Sequence, residues 1–288
     1  TKEDASVIIC PPVYYPFYDA ILNTGRKLVT CDLDNHDGHF ELDFEKFEKT
    51  IEENQVSMFI LCSPHNPVCR VWTEEELEKV LDICRRHGVL VLADEIHQDF
   101  TYGDHHFVST AIVKGGEYKD NLVILNAGSK TFNLAGLVGS YHIIYNGWLR
   151  ERVLKESSLS HYNAMNVLSM HALVGAYKPE GYEWLDELRQ VLTGNVEFAC
   201  RYIQDHFEGI EVSKPEGTYM LFLDCTKWCE KHGKTIDELQ RAGVEVGVIW
   251  QDGRPFHGPC HIRMNLALPF SRVQEAFERL DRYVFHAN

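Results

Sequence analysis

Short apolar runs alternate with amphipathic stretches through the first part of the chain. Residues 6–10 (SVIIC), 27–33 (KLVTCDL), 56–62 (VSMFILC), 89–97 (VLVLADEIH), 121–125 (NLVIL) and 138–146 (VGSYHIIYN) read as strands, several apolar on both faces. Between them lie helix patterns. Residues 11–25 carry helix signals that end at Gly25, a C′-type glycine. Residues 43–54 put Phe44, Phe47 and Ile51 on one face, and Thr73 with Glu76 three places on is a capping-box pattern. The helix it opens stops at Gly88. Strands buried on both faces and separated by helices predict a mostly parallel sheet flanked by helices.

The pattern changes near residue 180. One long helix is expected from Pro179 to Phe207, then strands at 210–213, 218–224, 244–250 and 261–268, with helices at 235–241 and 271–285. The expected architecture is therefore α/β: a large domain over 1–180, then a smaller α+β domain over 181–288. In an open parallel sheet ligands collect at the carboxyl ends of the strands. Three segments follow strands directly: SPHNP (63–67), ADEIH (93–97) and AGSKT (127–131).

Composition narrows the function. The 288 residues hold 28 Lys and Arg against 43 Asp and Glu, a net charge of −15. Such a chain repels phosphate backbones and anionic membranes, so neither nucleic acid nor membrane is an expected partner. No apolar run approaches the roughly 18–20 residues that span a bilayer. The first residues lack a signal-peptide pattern and an initiator Met, and the chain reads as a fragment or a trimmed form. Nine scattered cysteines, an odd number, suit reduced thiols in a cytoplasmic protein better than a disulfide framework.

Four residues carry the candidate chemistry, and each has an ordinary reading beside the functional one. Asp94 ends an apolar strand, where an acid is desolvated unless a donor or cation faces it; it could also be a helix cap. A nucleotide-hydrolysing acid pair is excluded because no GxxxxGK[ST] loop precedes it. Lys130 is either a solvated surface charge or an amine made nucleophilic by a crowded crevice. Asn66, between Pro64 and Pro67, is a turn residue or a fixed amide donor. Arg263, inside the strand HIRMNLALP, faces solvent or faces inward and needs an anion.

Strand–SPHNP, strand–ADEIH, strand–SKTFNLAGL and a late HIRMNLALP, in that order, resemble the fold-type I pyridoxal-phosphate enzymes of the class I/II aminotransferase family. PPVYYPFYDAI, CSPHNPVCRVW, DEIHQDF and SKTFNLAGL look most like its carbon–sulfur β-lyase branch, the cystathionine β-lyase and cystalysin type. The resemblance implies pyridoxal 5′-phosphate as cofactor. It implies Lys130 as the amine that bonds the cofactor aldehyde and later moves the substrate α-proton. Asp94 would pair with the pyridinium nitrogen, Asn66 with the phenolic oxygen and Ser129 with the phosphate. Tyr14 would stack on the ring, with Tyr15 as contender, and Arg263 would clamp the substrate α-carboxylate. His97 takes a cofactor-side position where aminotransferases usually have Tyr.

The implied reaction is α,β-elimination from cysteine- or cystathionine-type amino acids. An aminotransferase and a non-catalytic relative are the alternatives. The implied assembly is a homodimer. The resemblance also marks departures: Val138 stands where aminotransferases often have a phosphate-binding Arg, and Cys69 stands at a turn that usually carries Gly. Family members carry a further N-terminal stretch on the order of a hundred residues. No metal site is expected. DLDNHDGHF (32–40) breaks calcium-loop spacing and reads as a loop, and HGPCH (257–261) and His105–His106 lack zinc spacing.

Overall fold

The computed structural model describes residues 1–36, 38–160 and 164–286. Its first part contains β1 (Ser6–Ile9), α1 (Pro16–Leu22), β2 (Lys27–Thr30), β3 (Asp34–His36), β4 (His39–Glu41), α2 (Phe44–Asn54), β5 (Val56–Cys62), α3 (Glu74–Arg86), β6 (Leu90–Asp94), β7 (Leu122–Asn126), α4 (Gly128–Thr131) and β8 (Tyr141–Ile143). Six of these strands form one sheet in the order β2-β1-β5-β6-β7-β8. The pairs from β2 to β7 are parallel, and β8 closes the edge antiparallel.

Strand alternation splits the sheet's side chains between two cores. Ile8, Phe59, Leu61, Val91 and Ala93 face one side, where α2 and α3 deliver Phe47, Ile51, Leu77, Val80 and Leu81. Val7, Ile9, Ile60 and Cys62 face the other, against Ile21 of α1. Each Val, Ile, Leu or Phe among them, fully buried, contributes about 1.5–3 kcal/mol. The helix starts are fixed locally. Asp43 accepts the Lys46 N–H, and Thr73 and Glu76 form the expected reciprocal capping box. Gly25 has φ +73°, in a turn two residues past the cap of α1.

The second part contains α5 (Gly147–Leu159), α6 (Val167–Ala176), α7 (Pro179–His206), β9 (Glu211–Val212), β10 (Met220–Asp224), α8 (Thr226–His232), α9 (Ile236–Glu245), β11 (Gln251–Asp252), β12 (His261–Asn265) and α10 (Phe270–Leu280). The strands form an antiparallel sheet ordered β11-β12-β10-β9. Its core joins Leu192, Val196 and Ile203 of α7 to Leu221, Leu223, Ile262 and Phe277, and also takes in Cys69 and Phe100 from the first part.

Two expectations are corrected, and two helices were not anticipated. Residues 244–250 are not a strand: α9 runs on to Glu245, and only Gln251 and Asp252 pair with β12. Apolar residues in a short run do not separate helix from strand by themselves. Here packing decides, because Gly243 lies flat against the Trp250 ring, where a Cβ would sit 2.5 Å from it. Residues 32–40 are not all loop, since β3 and β4 make a hairpin; Asp37 lies outside the described residues. Helices α5 and α6 had no sequence signal. Their apolar residues are spread around the axis, and Val167, Leu168 and Val174 are exposed.

Candidate active site

The carboxyl ends of β5, β6 and β7 lie side by side. Cys62 is in register with Asp94, and Asp94 with Leu125. Beyond the strands, the Ser63 N–H reaches the Asp94 carbonyl and the Glu95 N–H reaches the Leu125 carbonyl, at 3.0 Å each. This lacing brings SPHNP, ADEIH and AGSKT to one crevice.

Asp94 sits at the bottom of it. Its Oδ1 accepts the Ile96 N–H at 3.2 Å, so the turn-capping reading holds. No ion pair to Asp94 exists among the described residues, so its carboxyl is left without a charged partner in contact. Burial pushes its carboxyl from 3.8 up to about 6, opposed by the Ile96 N–H and then by the charge of Lys130. Neighbouring Glu95 is satisfied by contrast, accepting from the Thr110 N–H and hydroxyl and from Ser109.

Lys130 and Ser129, both half-buried, ride on the one-turn helix α4. Ser129 borders a small cavity between Gly128, Leu137, Gly139, Ser169 and Leu173. His97 is buried, its ring edge-on to Tyr219 at 5.4 Å, and its Nδ1 has no partner. Burial, then the charges of Lys130 and Arg263, pushes its pKa down to about 3, so the imidazole is neutral.

Asn66 and Arg263 meet although 197 positions separate them: the guanidinium donates to the Asn66 Oδ1 at 3.0 Å. With the amide oxygen taken, the amide NH₂ is the end left for the crevice. The outward-facing reading of Arg263 is thereby corrected. Its second terminal nitrogen donates to Gln251 Oε1, and its Cζ lies 4.7 Å from the Phe256 ring centre. Among the described residues no carboxylate touches it.

The two tyrosines separate. Tyr15 packs edge-on against Phe256 at 5.2 Å. The half-buried Tyr14 hydroxyl is raised by burial first and then by Tyr15, with Arg263 and Asp94 both within its electrostatic reach. His65 ties this segment to the SPHNP loop through its Nε2, 2.9 Å from the Pro12 carbonyl. Cys69 does adopt the left-handed conformation that glycine favours, with φ +63°. Its buried thiol donates toward the Pro67 and Met220 carbonyls and receives the Thr218 hydroxyl. Val138 is 79% exposed and makes no equivalent of an arginine contact.

Gln251, Phe256 and Tyr219 belong to this site and were not read from the sequence. Tyr219 looked like one more core residue of a strand. Gln251 acquires its place only through the β11–β12 register. The histidines of HGPCH pack on aromatic rings: His257 stacks on Tyr18 and His261 on Phe222.

The residues fit pyridoxal phosphate. A desolvated acid with no ion pair, an amine within its field, an orphaned neutral imidazole nitrogen and a free amide NH₂ line one crevice. A family model described as aminotransferase class I and II matches residues 1–280. Cystathionine beta-lyase PatB of Bacillus subtilis (strain 168) is 32% identical over 284 residues, which is 97% of this chain and 72% of that protein. Aspartate aminotransferase of the same bacterium is 27% identical over 288 residues, or 98% and 70%. The crystal structure of cystalysin from Treponema denticola, which contains pyridoxal 5′-phosphate, is similar with a TM-score of 0.92 and 32% identity, covering 99% of this chain and 71% of that one.

Proposed function

The chain belongs to the class I and II aminotransferase family, and on that premise we propose that it is a pyridoxal-phosphate-dependent carbon–sulfur β-lyase. The observation that carries this reading is the amine of Lys130 set within the field of buried Asp94 and His97, with Arg263 free of any carboxylate beside them. The relatives named as cystathionine β-lyase and cystalysin support the lyase over other chemistries of the fold.

Pyridoxal phosphate, when bound, supplies an electron sink for the negative charge left at a substrate α-carbon. The chain's residues do the rest. Lys130 would hold the cofactor through its aldehyde, and its free amine would take the proton from the substrate Cα. Asp94, ionised, would keep the ring nitrogen protonated. The Asn66 amide NH₂ and neutral His97 would meet the ring's polar groups, Tyr14 would stack on the ring and Ser129 would bind the phosphate. Arg263 takes the substrate α-carboxylate in a paired, charge-assisted contact. The electron pair left at Cα would form the Cα–Cβ double bond as the β-carbon–sulfur bond breaks; the sulfur leaves with that bond's electron pair, takes up a proton and is released as a thiol. The remaining aminoacrylate hydrolyses to pyruvate and ammonia.

This reading takes the chain as a cofactor-binding unit up to about residue 180 followed by a smaller unit. It takes the working form as a homodimer, on the family resemblance, and the cytoplasm as its location, on the nine free thiols. An aminotransferase is the second reading, favoured by the 27% identical aspartate aminotransferase. The test is pyruvate release from L-cystathionine with pyridoxal phosphate and no added keto acid. The wild type should release it and Lys130→Ala should not. Amino transfer that requires a keto acid, with no pyruvate in its absence, would establish the second reading instead.

A further inference from the structure

The guanidinium of Arg263 is surrounded by neutral groups. Asn66 accepts from one terminal nitrogen at 3.0 Å, Gln251 from the other, and Cζ lies over the buried Phe256 ring, 4.7 Å from its centre. Arginine has only donors, so the oxygen of the Gln251 amide must be the end that meets it. Two independent features place Gln251 there. Its side chain makes the contact, and its backbone is the antiparallel partner of Arg263 itself in the β11–β12 register. Directly paired residues share one sheet face, with Cβ atoms about 4.5–5.5 Å apart. The contact is therefore built into the sheet.

We propose that Gln251 is a positioning residue for substrate recognition: it aims Arg263 at the substrate carboxylate and, being neutral, leaves the guanidinium charge uncompensated for that carboxylate. The inference rests on the role given to Arg263 above. The choice of amide matters physically. A carboxylate in the same register position would pair with the guanidinium before the substrate arrived, and the substrate would have to displace it. A methionine would leave the charge in place and remove the aim. The Asn66 contact cannot substitute for this, because it holds only one of the two terminal nitrogens.

The test compares two small probes on the cofactor-loaded full chain, followed by the change in cofactor absorbance. L-Alanine has both the amine and the carboxylate, whereas ethylamine keeps the amine alone. The wild type should bind L-alanine more tightly than ethylamine. In Gln251→Glu that preference should shrink by about tenfold, the worth of one charge-assisted hydrogen bond, with the ethylamine affinity unmoved. Gln251→Met should lose part of the preference. The ratio of affinities is internal to each variant, so a smaller folded fraction does not alter it. A wild-type preference that survives unchanged in Gln251→Glu would overturn the inference while leaving the Arg263 role intact. Equal binding of both probes by the wild type would overturn the Arg263 role, and this inference with it.

Discussion

In the cofactor-free protein, the stability of Asp94→Asn relative to wild type should rise from acid to alkaline pH. Burial holds the folded carboxyl at about 6 against an ordinary 3.8. At 1.36 kcal/mol for each pH unit, the folded state gives up about 3 kcal/mol once both states have ionised. The sign follows from which state binds the proton. Well below pH 3.8 folded and unfolded chains both carry it, and nothing is lost. As the pH rises from about 4 to about 6 the unfolded chain has released its proton while the folded chain holds on, so stability falls, and the loss is complete above 6. An amide does not titrate, and its carbonyl can still accept the Ile96 N–H. The assay is thermal unfolding of wild type and Asp94→Asn at pH 4 and pH 8. The advantage of the variant should grow by about 3 kcal/mol between the two, roughly 5 °C in Tm for a chain of this length. Taking the difference between two pH values cancels any constant cost of burying the amide. The same variant should bind pyridoxal phosphate more weakly, a stability gain set against function. An advantage that does not grow with pH would refute the desolvation argument.

Two further outcomes follow from buried groups near the site. His97, with its pKa near 3, and His65, near 4, stay neutral in the folded protein. Below about pH 6.5 the unfolded chain takes up these protons and the folded chain does not, so each histidine should cost about 1.4 kcal/mol per pH unit as the pH falls. His97→Gln should make the acid side of the stability profile shallower by that amount between about pH 6 and pH 4; urea titrations at those two values would show it, and an unchanged slope would count against a neutral buried His97. At Cys69, with φ +63°, the usual ranking of alanine over glycine should reverse. Both Cys69→Gly and Cys69→Ala lose the thiol's contacts with Pro67, Met220 and Thr218. Only glycine escapes the left-handed penalty of roughly 1–2 kcal/mol, so it should be the more stable of the two in denaturant melts.

Much of this site was legible in the chain because its elements are local. The β5, β6 and β7 strands announce themselves as apolar runs, and a parallel sheet puts the residues after each run at one edge. Asn66, Asp94, Ser129 and Lys130 each sit within a few residues of such an edge, so sequence position alone placed them in one crevice. The misreadings have a common cause. In 244–250 the apolar residues suited a strand or a helix, and contact between Gly243 and Trp250 settled the matter. In α5 and α6 the apolar residues have no single face, so periodicity had nothing to report.

The sequence by itself determined the alternation of elements, the capping of α2 and α3, the edge on which the chemistry gathers and the residue types brought to it. Tertiary structure alone decided what those residues face. Whether Arg263 pointed outward or inward turned on a contact with Asn66, 197 positions away, and with Gln251 across a sheet. How far the Asp94 carboxyl is desolvated turned on how much water the packed strands excluded. Hydrophobic periodicity is written into neighbouring residues. Partnership and desolvation depend on which distant segments arrive, and that is fixed only when the whole chain packs.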